Sequence, residues 1–375
     1  MNVRFGLILL ICGVRTLLGQ GLDIPGKIHR WIQDTVPEDS SDRRSNYFIL
    51  VPVVRYLPET RWSGVLAGNF VFRTHPAFTH TRPSSIRLSA TYTQNRQFIC
   101  KPTAEIFFPE NRWMIRTGFL YMRFPELYYG IGGSSSADWE EQYSFDMSRF
   151  FFRGFKRVGR HIYTGPIYLY EYMYGMKVQD SSVFNRQPVS GRQGGWVSGP
   201  GWAVVFDNRN NIYYPSSGWY AEFSGSAFSK FTGSGFNYSA WVADVRAYQS
   251  LHKGKAVLAG NVLLHYNPGN PPFRQMGILG GESFGRGYYQ GRFRDKHHLV
   301  LQSEYRLKVW KRMGMTFFGG LATVFSNHPA GAPWHPFYGF GFRGKLLRKE
   351  YLNVRLDIGF GRSGPQYYFT LDEAF

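Results

Sequence analysis

The sequence predicts an all-β chain, a sixteen-stranded antiparallel transmembrane β-barrel with one long extracellular loop folded into it. Three observations carry this reading. Apolar and polar residues alternate with a period of two from residue 47 to the C-terminus, in runs of about ten residues bounded by Gly, Pro, Asn, Asp or basic turns. Aromatic residues (33 Phe, 25 Tyr, 10 Trp) make up 18% of the chain. Beyond about residue 20 no apolar stretch could span a bilayer as a helix, and only 18% of residues are charged, which excludes both a helical membrane protein and a charge-rich disordered one.

Residues 1–19 read as an export signal, with Arg4 as the positive start, Phe5 to Val14 as the apolar region and Leu17-Leu18-Gly19 as the cleavage site before Gln20. Cys12 lacks the small preceding residue of a lipoprotein site. Without the leader only Cys100 remains, so no internal disulfide is available; its expected place is a half-buried strand. Residues 20–46 are too short for a domain, but Ile28, Trp31 and Ile32 have the spacing of a short amphipathic helix, periplasmic or pore-associated.

Residues 47–375 form the expected barrel. The strands are expected at 47–57, 62–73, 84–94, 97–108, 111–123, 139–153, 157–173, 200–208, 217–229, 236–250, 255–266, 298–309, 313–325, 335–344, 349–361 and 366–375. The clearest has Leu352, Val354, Leu356, Ile358 and Phe360 on one face and Asn353, Arg355, Asp357 and Gly359 on the other, as a strand with lipid on one side and a wet lumen on the other requires. Long connections at 124–138, 174–199 and 267–297 all follow odd-numbered strands, whereas 251–254 and 310–312 follow even ones and are tight. Long loops outside and short turns in the periplasm is the polarity of an outer-membrane barrel. Tyr128-Tyr129, Tyr213-Tyr214, Tyr288-Tyr289 and Tyr367-Tyr368-Phe369 crowd the strand ends, where a ring suits the membrane interface.

Lys and Arg number 44 against 25 Asp and Glu, a net charge of +19. These bases are dispersed through alternating stretches, which disfavours nucleic acid and favours outer-membrane lipid and lipopolysaccharide as partners. Gly285-x-Gly287 followed by Gly291 has the wrong spacing for a dinucleotide loop, and Gly254-Lys255 and Gly344-Lys345 lack the rest of a phosphate loop, so no cofactor is expected. His75 and His80, or His297-His298, have no acid or cysteine at ligand spacing; they read as loop or interface histidines, with no metal. No serine, histidine and acid are ordered at one strand end, and an enzyme is not expected.

Three stretches are more specific. The first is Gly201-Trp202-Ala203-Val204-Val205-Phe206-Asp207-Asn208-Arg209-Asn210-Asn211, followed by Tyr214-Pro215-Ser216-Ser217-Gly218-Trp219. The second is Leu279-Gly280-Gly281-Glu282-Ser283-Phe284-Gly285-Arg286-Gly287-Tyr288, followed by Gly291-Arg292-Phe293-Arg294-Asp295. The third is the C-terminal run Tyr367, Phe369, Leu371 and Phe375. Together they resemble the barrel of the BamA/TamA surface-antigen superfamily, the outer-membrane insertases and translocators, over roughly residues 47–375 and most strongly from 200 onward.

The resemblance assigns Asp207, Arg209, Pro215 and Gly218 to a periplasmic turn, Arg286-Gly287-Tyr288 to the tip of the inward loop, and the last run to the signal recognised in barrel assembly. Gly280, Gly281, Gly285, Arg292, Arg294 and Asp295 would support the loop. It implies insertion or translocation of proteins, or of lipids, at the outer membrane through a weakly paired seam between 47–57 and 366–375, with Pro52 weakening the first strand. Two features depart from the pattern. The chain has no room for a periplasmic polypeptide-transport-associated (POTRA) domain, so capture would fall to a POTRA-bearing partner or the barrel-assembly machinery. The run Phe318-Gly319-Gly320-Leu321-Ala322 lacks the acid that usually receives the loop arginine.

Alternation supplies a substitute. If Leu301 faces lipid, Gln302, Glu304 and Arg306 face the lumen, and Glu304 is expected to pin Arg286 in a charge-assisted pair. The bland alternative for Arg286 is a solvated loop residue. The alternative function is a passive channel or structural surface barrel.

Overall fold

The computed structural model describes residues 4–7, 46–75, 81–178, 184, 189–211, 214–310, 313–345, 353–362, 364–371 and 373–375. The barrel strands are β1 (Tyr47–Leu57), β2 (Arg61–Phe72), β3 (Ser84–Thr93), β4 (Phe98–Phe107), β5 (Trp113–Tyr128), β6 (Glu141–Arg157), β7 (Ile162–Lys177) and β8 (Gly195–Asp207). They continue as β9 (Gly218–Phe228), β10 (Tyr238–Leu251), β11 (Ala256–Tyr266), β12 (His297–Trp310), β13 (Met313–Phe325), β14 (His335–Lys345), β15 (Asn353–Gly361) and β16 (Gly364–Leu371). Each pairs antiparallel with the next, and β16 meets β1, so the sixteen strands close into a barrel.

The two faces are inverted relative to a water-soluble protein. Leu258, Val262, Leu301, Phe317, Leu321, Phe342 and Leu356 are exposed on the outside, while Asn261, Gln302, Glu304, Arg306, Arg343, Arg355 and Asp357 are buried inside. An apolar exterior of this extent is stable only in hydrocarbon, and closure leaves few unpaired backbone groups to meet it. Leu301 is 36% exposed and Glu304 1%, which puts the expected faces of β12 the expected way round. Trp62, Trp113, Trp219 and Trp310 stand outward near the rims.

Of the expected tyrosine pairs, Tyr213 lies outside the described residues, and most of the others do not serve that girdle. Tyr128, Tyr129, Tyr288 and Tyr368 are buried inside, and of these expected interface residues Tyr367 is outward and 49% exposed. Adjacent strand residues point to opposite faces, so a Tyr-Tyr pair places at most one ring in the bilayer. His297 and His298 are likewise buried at the start of β12, with His298 stacked on His265 at 4.3 Å and His297 on Tyr266 at 4.2 Å.

The expected break at 154–156 is continuous strand, and the β6–β7 turn falls at 158–161. Close approach of the two strands there depends on Gly165, whose Cβ would lie 1.9 Å from the Gly154 carbonyl oxygen. β8 begins at Gly195, five residues before the expected 200, which shortens the long connection ahead of it. Cys100 is half-buried on β4. Of the expected N-terminal elements, residues 20–45 lie outside the described residues, including Ile28, Trp31 and Ile32.

The weakest junction is between β16 and β1. Elsewhere adjacent strands share seven or more register pairs, as in β8–β9, but among the described residues β16 and β1 share one, Phe369 with Tyr56. At the other end of the same strand Arg4–Leu7 lies parallel to residues 47–50, a pairing available only while that stretch of the expected leader is attached. Pro52 lies between these contacts and has no N–H to donate.

Candidate functional site

The connection from β11 to β12 is the long loop, residues 267–296, and it carries a two-stranded ribbon of Gly277–Leu279 and Phe293–Asp295. Its tip is packed among inward side chains. Arg286 is fully buried; Nη2 donates to Glu304 Oε1 on β12 at 2.5 Å and Nη1 to Asp357 Oδ2 on β15 at 2.8 Å. Its guanidinium carbon stands 3.5 Å from the centroid of the Phe318 ring on β13. One fork thus satisfies two carboxylates and an aromatic face, which a point-charge lysine would match poorly.

Asp357 is the acid that the β13 run lacks. Sequence reasoning placed it on the polar face of its strand but did not bring it to Arg286. The two are 71 residues apart, and the curvature of the barrel brings β15 round to face the loop tip. Small residues make the space: a Cβ on Gly359 would lie 2.7 Å from the Arg286 carbonyl carbon, and one on Gly339 2.4 Å from the Phe318 ring. Gly287 has φ +117°, and its own Cβ would lie 2.5 Å from the Phe360 backbone, so both its conformation and its setting require glycine. Its N–H donates to the Tyr368 hydroxyl on β16 at 3.0 Å, and the Tyr288 hydroxyl donates to the Pro336 carbonyl at 2.9 Å.

The pair is part of a larger buried network. Arg306 donates to Glu304 at 2.8 Å; Arg343 donates to Asp357 at 2.5 Å and to Glu373 at 2.8 Å. Arg355 donates to Glu282 of the loop at 3.1 Å, and Glu282 also takes Arg55 of β1. Sharing acids between several guanidiniums is what makes so many charges tolerable away from water.

The other loop residues dock it to the barrel mouth. Gly280, Gly281 and Gly285 adopt φ of +110°, +82° and +122° in the turns around the tip. Arg292 donates to the Ser135 hydroxyl at 3.2 Å and carbonyl at 3.0 Å, in the β5–β6 connection. Arg294 donates to the Phe273 carbonyl at 2.8 Å and lies 3.8 Å from Glu126. Asp295 caps the next backbone N–H, from Lys296, at 2.7 Å. At the β1–β2 turn the buried Glu59 accepts the Gln290 N–H at 2.7 Å, and burial pushes its carboxyl up to about 7.

In the β8–β9 connection Asp207 and Arg209 form a two-point ion pair at 2.9 and 3.0 Å, with the Arg209 guanidinium 4.6 Å from the Tyr220 ring. Pro215 is buried and Gly218, at φ +101°, closes the turn. The C-terminal run is not a single face. Tyr367 and Phe369 lie on β16, and Leu371 ends that strand; Phe375 then turns inward against Tyr248 and Ala259. Its carbonyl accepts from Arg306 at 3.0 Å, so this buried donor holds the expected strand end away from the sheet.

Residues 83–333 match the Omp85 superfamily domain. The chain belongs to the Omp85 superfamily. An Omp85 barrel implies an outer-membrane location. Among solved structures the fold is similar to BamA from Haemophilus ducreyi lacking POTRA domains 1–3, with a TM-score of 0.57 and 13% identity over 87% of this chain and 69% of that one. It is also similar to CdiB from Acinetobacter baumannii (TM-score 0.60, 12% identity, 88% of this chain and 59% of that). CdiB from Escherichia coli gives 0.57 at 8% identity over 87% of this chain and 65% of that. The chain thus spans less than two thirds of either CdiB. No curated protein matches in sequence.

Proposed function

We propose that this Omp85 barrel assists insertion or translocation of polypeptides at the outer membrane through the seam between β1 and β16, with periplasmic capture supplied by a POTRA-bearing partner or the assembly machinery. The observation that carries the reading is the seam itself. A barrel edge held, among the described residues, by one register pair, with a proline in the edge strand, can separate without breaking a continuous ladder, and its exposed backbone groups can then template an incoming strand. The long loop supports the same reading, because it joins β1, β12, β15 and β16 from inside and can hold the barrel's shape while that edge parts.

The test replaces Tyr56 and Phe369 by cysteine in a background with Cys12 and Cys100 changed to serine. Purified barrel in vesicles is then assayed for assembly of an outer-membrane reporter protein. Oxidation is expected to stop assembly and reduction to restore it; an equal rate in the locked and reduced states would overturn the proposal. Gentle extraction followed by mass spectrometry identifies the capture partner, and recovery of the bare barrel would remove that part of the reading.

A further inference from the structure

At the long-loop rim a cavity of about 420 Å³ lies between the β1–β2, β3–β4 and β5–β6 connections, with Tyr289 of the long loop in its wall. That is the size of a small-molecule site, which runs to about 300–1,000 Å³. The charge of its lining is unevenly satisfied. Glu126 accepts from Arg274 and from the Tyr143 hydroxyl, and Glu140 accepts from the Tyr129 hydroxyl. Arg61 and Arg96 are exposed and form no ion pair among the described residues. The cavity therefore offers two guanidiniums with no carboxylate partner against one acid, Glu140, that is held by a hydroxyl alone, and its net charge is positive.

The rest of the wall is amide and flat apolar surface. Gln94, Gln142, Pro58, Pro125 and Tyr289 line it. Amides and guanidiniums present paired donors at the spacing of neighbouring hydroxyls, and proline and tyrosine faces suit the C–H face of a sugar ring. A peptide strand finds little to pair with, because the turn N–H groups are already used: Thr60 on Leu57, Gln94 on Trp62 and Arg96 on Thr93.

We propose that this cavity binds an anionic saccharide, a sugar bearing phosphate or carboxylate, with Arg61 and Arg96 holding the charge. With the long loops outside, as their lengths predict, it opens at the cell surface, where such a group can be lipid-borne or free. Binding of a soluble probe does not depend on that orientation or on the insertion reading.

The experiment titrates full-length barrel in phosphatidylcholine nanodiscs with glucose 1-phosphate, glucose and inorganic phosphate, by calorimetry and saturation-transfer NMR. Glucose 1-phosphate is expected to bind at least tenfold more tightly than either of the others, and Arg61→Gln/Arg96→Gln to weaken it at least tenfold with unchanged heat-modifiable migration. Tyr289→Phe, which retains the ring, is expected to bind like the native chain. Competition by nanodiscs carrying a phosphorylated lipid A would assign the natural source to lipid, and its absence to a free sugar. No binding of glucose 1-phosphate, equal binding of inorganic phosphate, or an unchanged affinity in the double variant would overturn the proposal.

Discussion

Arg55 on β1 is paired inside the barrel with Glu282 of the long loop, and the same carboxylate reaches Arg355 on β15. The loop thus bridges the junction at which β16 and β1 share one register pair among the described residues. Sheet hydrogen bonds hold the other junctions; here a loop side chain substitutes for them. Glu282→Gln is expected to loosen this clasp without unfolding the barrel. The measurement is the rate of thiol labelling at Phe369→Cys in a cysteine-free background, which should rise severalfold; an unchanged rate would show that the clasp does not control the edge.

Arg286→Ala would leave Glu304 with Arg306 and Asp357 with Arg343, one cation short in a buried network, a loss of about 3 kcal/mol, at the low end for a broken buried pair. The expected outcome is lower thermal stability and protease cleavage within residues 277–295. Arg286→Lys should recover only part of it, because one ammonium cannot reproduce the two-carboxylate fork. Planar-bilayer recordings give an independent reading: steady conductance is expected in Arg286→Ala and not in the native barrel, and steady anion-selective steps in the native barrel would favour a passive channel.

Gly359→Ala tests the fit of the tip. A Cβ there meets Arg286 backbone at 2.7 Å, whereas one on Gly260 meets nothing within 4 Å. The first substitution should expose the loop to protease while the second leaves it protected; equal behaviour would mean that the tip is not held against β15.

Glu59 gives a pH dependence. Its folded pKa of about 7 lies above the ordinary 4.5, so the docked state binds more protons than the open state between those values. Docking is therefore tightest below about pH 4.5 and weakens as pH rises to 7, by on the order of 100-fold at most in the opening equilibrium. Hydrogen exchange at Gln290, corrected for intrinsic rate, should show this slope in the native chain and a flat profile in Glu59→Gln.

The amino-acid sequence by itself determined the strand count, the inward face of Glu304 and the special character of Arg286-Gly287-Tyr288. Period-two alternation and glycine-bounded turns are local, and an exterior of hydrocarbon with an interior of side chains writes the same rule on every strand. Only the tertiary structure decided what meets across the lumen. Asp357 reaches Arg286 because closure curves β15 round to the loop tip, Tyr128 and Tyr368 face inward because register fixes which ring of a pair looks out, and Phe375 leaves the sheet because Arg306 holds its carbonyl. Such contacts join residues tens of positions apart and depend on barrel size and stagger, which no single strand records.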